Sequence, residues 1–556
     1  MIATLFLAVM AAAMAVCGSR FHLAIPAIVC GICLVPGVRH LRQFFTHHDM
    51  ERLGKKIEQF KTGSEPKNPG YFWAGQSINF DAACKHFVTV GATGSGKSVM
   101  LNMLLQSVLL KMGPRSSRKR RALVYDAKAD LYSFMKGVNA NAEILILNPL
   151  DRRFSPWDIA ADVVSETDAY EFASILIPRN ANENNPYFND TARNLVAGVI
   201  KRFIAEGRAW TLRDLVLAFE SLPRLEAVLD HEETRYLQDH FDQNNDRNLA
   251  GVKSTVDNTM ALYRPIAALC ASAKQPAISL RKWIQSQNSV LLLGNHESAR
   301  EATDTLNRLI FHQLYKLLIA RDGHIKEDET WIFLDEVREA GRLSGLRQLL
   351  LRGRSKGVAV ALGFQDIKGI YAAYGDHDGA EIVGAAQNIV VLHINPSAPA
   401  TAEWAASIFG TRRDVVRSDS EQMGQNYSMG TSKQAIPVPN LLPVQLMQLH
   451  MPAQDNGISY YAYTNASGHI SSNYDWEFLE RAGPFNCRDW EAADLLEQKD
   501  PERFRLQPWN GKDVVRLGLP AKVLDASRKP IPKNTPPKPS TGDDGKGKET
   551  GSHPFH

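Results

Sequence analysis

Short apolar runs punctuated by turn residues recur along this chain, with helical spacings between them. His86–Val90, Arg121–Asp126, Ala142–Leu147, Ser289–Gly294, Thr330–Asp335, Gly357–Leu362 and Asn388–His393 are such runs. Each is too short for an ordinary helix and nearly unbroken in its apolar character, the pattern of a parallel strand buried on both faces. Strand followed by helix, repeated, predicts an α/β protein with one open sheet covered on both sides. Between Pro156 and Ile284 the strand signal gives way to helical periodicities at Thr191–Ile204, Thr211–Ser221 and Ala250–Ala273. An all-helical insertion accounts for that change. No internal repeat is visible.

The ends of the chain have a different character. Ile2–Ser19 and Phe21–Val38 are two apolar stretches of 18 residues separated by Arg20. As a helix each rises ~27 Å, enough to cross a bilayer core. A cleaved signal peptide is the alternative for the first stretch, but it lacks a basic leader and a second stretch comes at once. Arg39, Arg42, Arg52, Lys55, Lys56 and Lys61 flank the second stretch, so the positive-inside rule places residues 39 onward in the cytoplasm. The expectation is an inner-membrane protein with two transmembrane helices and a cytoplasmic bulk. At the other end, Ser527–His556 is rich in Pro, Lys, Gly and Ser and is expected to be disordered.

Composition adds mainly exclusions. With 556 residues, 44% hydrophobic and 22% charged, the chain has room for several domains and a large core. A net charge of +4 is too small to imply nucleic-acid binding. The six cysteines are scattered, and Cys30-Gly-Ile-Cys33 lies in an apolar segment without a second pair, so neither a disulfide framework nor a zinc site is indicated.

The chemistry starts after the His86–Val90 strand. Gly91-Ala92-Thr93-Gly94-Ser95-Gly96-Lys97-Ser98 leads into a helical stretch, Val99–Leu110. This is the spacing of a Walker A phosphate loop. Its glycines let backbone N–H groups close around triphosphate oxygens at the positive end of the adjoining helix. Lys97 would reach the β and γ phosphates and the Ser98 hydroxyl would ligate Mg²⁺, which makes ATP with Mg²⁺ the expected ligand pair. Trp331-Ile332-Phe333-Leu334-Asp335-Glu336 supplies the partner, a buried strand ending in two carboxylates. Asp335 is placed for the metal shell and Glu336 to polarise an attacking water. Downstream, a basic turn, Leu351-Arg352-Gly353-Arg354-Ser355-Lys356-Gly357, is expected at the mouth of the sheet. Arg354 there is either solvated or reaches a neighbouring subunit's γ-phosphate. Gln365, at the carboxyl end of the next strand, is a candidate phosphate sensor.

The order of these features resembles the type IV coupling proteins of bacterial conjugation and secretion, the TraD/TrwB class. The resemblance runs over roughly residues 1 to 470. It takes in the apolar hairpin, the loop at 91 to 98, Asp-x-Lys-x-Asp at 126 to 130, the helical insertion and Leu-Asp-Glu at 334 to 336. Arg354, Gln365 and the late Thr401-Ala402-Glu403-Trp404 segment complete it. It implies a RecA-like P-loop nucleotide-binding domain with an all-helical insertion domain and an N-terminal two-helix transmembrane hairpin. Lys97, Asp335, Arg354 and Gln365 would be the phosphate lysine, Walker B aspartate, intersubunit arginine and coupling glutamine. The family forms hexameric rings beneath the inner membrane and passes a relaxase–DNA complex or protein substrates to the components of a secretion channel. The corresponding division is a transmembrane hairpin (1–40), juxtamembrane connector (41–74), nucleotide-binding domain (75–154 and 286–470), all-α domain (155–285), C-terminal extension (471–526) and tail (527–556).

Some stretches depart from the family or leave readings open. The family's Asp-Pro-Lys-Gly turn stands here as Asp126-Ala127-Lys128-Ala129, and the acidic tail of some members is replaced by a basic, proline-rich one. The run Arg115-Ser-Ser-Arg118-Lys119-Arg120-Arg121 reads either as a contact for DNA phosphates or anionic lipid, or as a solubilising loop. Tyr187 and Phe188, in the polar Asn182–Asp190 stretch, are expected in the core rather than as base-stacking platforms. With no sequence-reading helix-turn-helix or zinc finger in the pattern, any DNA contact is expected with the backbone, indifferent to sequence. The leading expectation is an ATPase that drives DNA or protein transfer. The alternative is an ATP-dependent membrane receptor for protein effectors without DNA pumping.

Overall fold

The computed structural model describes residues 58–59, 70–482 and 501–525, apart from short internal stretches at 114–115, 117, 180–185, 208, 242–245, 296–298, 322–327, 423–427 and 466. The expected transmembrane hairpin, most of the connector and the tail lie outside the described residues. Among the described residues no helix is long and apolar enough to cross a membrane.

Chain contacts divide the protein into two units, Met1–Val163 with Leu262–Leu506, and Val164–Ala261 with the residues from Gln507 onward. The first unit is built on a ten-stranded sheet. Its strands are β1 (Glu58–Gln59), β4 (Phe87–Val90), β5 (Lys119–Asp126), β6 (Glu143–Ile146), β7 (Asn288–Gly294), β8 (Asp328–Leu334), β9 (Val358–Phe364), β10 (Asn388–Val391), β13 (Ile458–Thr464) and β14 (Gly468–Tyr474). They lie in the order β1-β14-β13-β10-β4-β9-β8-β5-β7-β6. β2 (Tyr71–Trp73) and β3 (Gln76–Ile78) form a small hairpin of their own. Every pairing in the large sheet is parallel except those of β13 with β10 and β14.

Burial explains why the central strands read as unbroken apolar runs. All four residues of β4, all seven of β9 and all but the first of β8 are buried, because helices cover both faces. β13 instead alternates buried and half-buried positions, the period-two signature of a strand with one wetter face. His86 ties the start of β4 to its neighbour: Val360 N donates to Nδ1 at 3.2 Å, and Nε2 donates to Leu350 O at 2.8 Å. Burial pushes its pKa down to about 4, so the ring stays neutral in this role. A ribbon the sequence pattern does not announce, β11 (Thr411–Gln422) with β12 (Ser428–Pro439), pairs over twelve positions outside the main sheet.

The second unit is helical. Glu166–Leu176 and Leu212–Ala218 each start in a reciprocal capping box, Ser165 with Asp168 and Thr211 with Asp214, which satisfies first-turn N–H groups. Between them lies the long helix Tyr187–Ala205. Its Phe188 packs on Gly251, while Tyr187 is 44% exposed, so only one of the two aromatics expected in the core is covered.

The domain expectation needs a correction at the C-terminal end. Residues 507–525 belong with the helical unit and are not part of a separate extension. The Asp214 carboxylate explains the attachment: it is fully buried and accepts from Trp509 Nε1 at 2.9 Å and from Arg516 at 2.8 Å. Arg213 adds a forked pair with Asp513, at 3.2 and 3.0 Å. Buried charge satisfied from several sides in this way is costly to break.

Candidate functional site

The carboxyl ends of the parallel strands gather Lys97, Ser98, Asp335, Glu336 and Gln365 around one cleft of about 590 Å³. β4 ends in the loop Gly91–Gly96, and the helix Lys97–Leu109 starts there with Gly96 at φ +98°, a backbone state that glycine adopts without strain. Lys97 is buried and arches back along the loop, its Nζ donating to Gly91 O at 3.0 Å and Ala92 O at 3.3 Å. Burial lowers its pKa, and the nearby Glu336 and Asp335 carboxylates oppose that shift.

β8 delivers the acids. Asp335 accepts from Ser98 Oγ through Oδ2 at 2.7 Å, while its Oδ1 is buried with no hydrogen-bond partner. A free buried carboxylate oxygen beside a helix-start hydroxyl is a mixed hard-oxygen donor set, the kind Mg²⁺ prefers. The residues present therefore fit a divalent cation. Gly363 on β9 permits the arrangement. A Cβ there would lie 2.0 Å from Asp335 O, so any side chain would push the acid away from the loop.

Gln365 links the two halves. Its amide oxygen accepts from Thr93 Oγ1 at 2.8 Å and its Nε2 donates to Glu336 Oε2 at 3.0 Å, a bridge from phosphate loop to acid. Burial raises the Glu336 pKa, while the Gln365 hydrogen bond and the Lys97 charge lower it. The next residue, Asp366, accepts from Thr401 Oγ1 at 2.6 Å, and Thr401 Oγ1 in turn accepts from Ile367 N at 3.1 Å. Thr401 of the late Thr-Ala-Glu segment thus fixes the backbone that carries Gln365.

Two expectations are corrected here. Arg354 is not at the mouth of the cleft. It sits in a 3₁₀ turn, Gly353–Lys356, just before β9, at the opposite end of that strand from Gln365. Seven strand residues span roughly 20 Å, so Arg354 is out of reach of its own phosphate loop. Its side chain is 54% exposed and faces Asp81 at 3.4 Å. The basic run at 115 to 121 is neither a free patch nor simply solvated in its second half. Arg118 and Arg120 both reach the buried Glu329, at 3.1 and 2.9 Å, and the fully buried Arg121 pairs with Asp328. These arginines neutralise acids at the start of β8.

The Asp126–Asp130 turn is legible in the sequence only as a motif. The Asp126 carboxylate accepts from the backbone N–H groups of Lys128, Asp130 and Leu131, which starts the helix Leu131–Val138. Burial pushes its pKa up to about 6. Ala129 holds φ +59°, where the family's turn carries glycine. A left-handed alanine costs ~1–2 kcal/mol, and glycine gives back ~0.5–1 of that through the unfolded chain. Ala129→Gly is therefore expected to stabilise the protein by roughly 0.5–1 kcal/mol. An unfolding midpoint that stays put or falls in urea titration contradicts the strain.

The fold and this cleft define an α/β phosphate-loop protein, in which a strand carrying Gln365 separates the loop strand from the acid strand. Residues 71–453 match the family described as the type IV secretion-system coupling protein DNA-binding domain. The match spans more than half of the chain, which therefore belongs to the type IV coupling proteins. The coupling protein TraD of Escherichia coli K12 is 20% identical over 351 residues, 62% of this chain and 46% of TraD, so the chain spans about half the length of that curated relative. Among solved structures, unbound TrwB lacking its first 70 residues superimposes with a TM-score of 0.58 at 19% identity, covering 74% of this chain and 90% of that one. TrwB in complex with ADP and Mg²⁺ gives 0.58 at 17% identity, covering 79% and 95%. At such identity the likeness is one of fold.

Proposed function

We propose that this chain is an ATPase motor of a type IV secretion or conjugation system. It binds ATP with Mg²⁺ on the loop Gly91-Ala92-Thr93-Gly94-Ser95-Gly96-Lys97-Ser98, hydrolyses it, and uses the energy to pass single-stranded DNA with its relaxase, or protein substrates, to the secretion channel. The observation that carries this reading is the Ser98–Asp335 pair with its unpartnered carboxylate oxygen, set beside the Thr93–Gln365–Glu336 chain. Binding alone would need only the loop. A half-buried acid held by an amide next to it is the equipment of hydrolysis.

In this reading Ser98 and Asp335 hold the metal, which when bound neutralises phosphate charge. Lys97 turns from its loop carbonyls to the phosphates. Glu336 accepts the proton of the attacking water, and Gln365 keeps its carboxylate aimed and responds when the phosphate leaves. Arg354 supplies positive charge to a neighbouring protomer's site, which requires a homo-oligomer, by family resemblance a hexamer at the inner membrane. DNA contact is to the backbone, without sequence preference.

The experiment that tests this is steady-state ATP turnover by the full chain across protein concentration, with and without single-stranded DNA. Specific activity is expected to rise with concentration and to rise further with DNA. Turnover that is absent, or present but indifferent to both variables, favours a receptor that binds ATP without pumping.

The pH dependence carries a further expectation. Glu336 acts as a base only when ionised, and burial raises its pKa, so turnover falls on the acid side with a midpoint above an ordinary glutamate's. The Gln365 hydrogen bond stabilises the anion. Gln365→Ala is therefore expected to move that acid limb to higher pH as well as to slow the reaction. A limb that stays fixed or moves to lower pH removes Gln365 from contact with the base.

A further inference from the structure

The cleft has a further charged wall at the carboxyl end of β5, where Asp126, Lys128 and Asp130 line it. β5 pairs in parallel with β8, so the turn after β5 emerges beside the acids that follow β8. The first acid of that turn is committed to the backbone. Asp126 accepts from Lys128 N and Asp130 N at 3.3 Å each and from Leu131 N at 2.9 Å. Asp130 stands at the N-cap position of the helix Leu131–Val138, yet its side chain makes no capping bond, because Asp126 has taken that role. Ala129 between them is held at φ +59°, a strained state that persists where the surroundings over-determine it. The backbone of Lys128 is therefore fixed.

Its side chain is not. Lys128 is exposed at the cleft, and among the described residues its ammonium has no hydrogen-bond or ion-pair partner, Asp130 included. It lies close enough to Lys97 to push that lysine's pKa down, adding to the effect of burial and opposing Asp335 and Glu336. Two ammonium groups sharing one cleft repel each other. The same pair becomes favourable once a polyanion enters.

Strand order says which end of a nucleotide Lys128 approaches. The loop Gly91–Gly96 belongs to β4, whereas Lys128 follows β5, on the far side of β9 and β8. Its neighbours there are Asp335 and Glu336, and a base for the attacking water marks the γ-phosphate end. We propose that Lys128 is a second phosphate lysine, which contacts the γ-phosphate of the nucleotide bound to its own chain. Lys97 reaches the β and γ phosphates together, so it supports triphosphate and diphosphate alike. Lys128 adds to the affinity for the triphosphate only, and its contact is lost when the γ-phosphate leaves. A fixed backbone carrying a flexible stem and rotatable donors suits a residue that follows that departure. This assignment rests on the nucleotide reading above and adds a residue to its γ-phosphate end.

The test is calorimetric titration of the full chain with the Mg²⁺ complexes of the β,γ-imido analogue of ATP and of ADP. Lys128→Ala is expected to weaken the triphosphate analogue by about 10- to 150-fold, the range for loss of one hydrogen bond to a charged group, and to leave ADP affinity unchanged. Lys128→Arg, which keeps the charge, should retain most of the triphosphate affinity. The Asp126 bonds use only backbone N–H groups, so truncating the exposed side chain leaves them in place, and ADP binding confirms that the turn is intact. Wild-type affinity of Lys128→Ala for the triphosphate analogue overturns the assignment. So does an equal loss of ADP affinity, because Lys128 would then be acting on the phosphate loop or on the phosphates that both ligands share. A wild type that binds neither nucleotide overturns the nucleotide reading itself, and the role of Lys128 with it.

Discussion

Arg354→Ala protein is expected to bind ATP as the wild type does and to hydrolyse it about 10³-fold more slowly or worse, the loss associated with an arginine that stabilises transition-state charge. Position is the reason for an effect that acts between protomers. Arg354 lies before β9 while Gln365 comes after it, so strand length separates the arginine from its own cleft. Its contact with Asp81, 3.4 Å away between two exposed side chains, is of the kind that contributes little and exchanges readily for a better partner. A neighbouring protomer's phosphates would be such a partner. Mixing provides the check: Arg354→Ala and Lys97→Ala proteins each lack a different half of a shared site. Mixed assemblies then contain some interfaces with both halves intact, and part of the turnover returns. If mixed oligomers form and the mixture stays as inactive as its parts, Arg354 does not act across the interface.

The position of Arg354 also marks where the sequence stops being informative. The loop Gly91–Ser98 and the acids Asp335 and Glu336 are legible because each lies within a few residues of its own strand, and strand polarity does the rest. Gly363 is different, since the contact that requires it is with Asp335 O, 28 residues earlier in the chain. Nothing local marks it. The same holds for Thr401, whose hydroxyl meets Asp366 across 35 residues. Charge patterning misleads for a related reason. Arg118, Arg120 and Arg121 look like a free basic patch until Asp328 and Glu329 arrive from another strand through the β5–β8 register. The helical unit is legible as helical, but its attachment of residues 507–525 depends on Asp214 and Arg213, almost 300 residues away. Periodicity reports which face of an element is buried and says nothing of what buries it.

Glu336→Gln is expected to give a protein that binds ATP and hydrolyses it roughly 10²- to 10⁴-fold more slowly, the range for loss of a general base. The substitution is nearly isosteric. Its amide oxygen can still accept from Gln365 Nε2, so the bridge to Thr93 has a partner and the loop keeps its shape. The lost capacity is chemical: the amide cannot take a proton from water. The neighbouring acid behaves differently. Asp335 bonds Ser98 and has its second oxygen unpartnered, so in the proposed role of metal ligand Asp335→Asn should raise the Mg²⁺ concentration needed for tight ATP binding, which Glu336→Gln should leave unchanged. Titrating Mg²⁺ against nucleotide affinity for both variants separates the two roles. The acid limb expected from Glu336 ionisation in the wild type should also disappear from the residual rate of Glu336→Gln. Wild-type turnover by that variant, or an unaltered acid limb, removes Glu336 from the role of base and leaves the proton to another group in the cleft.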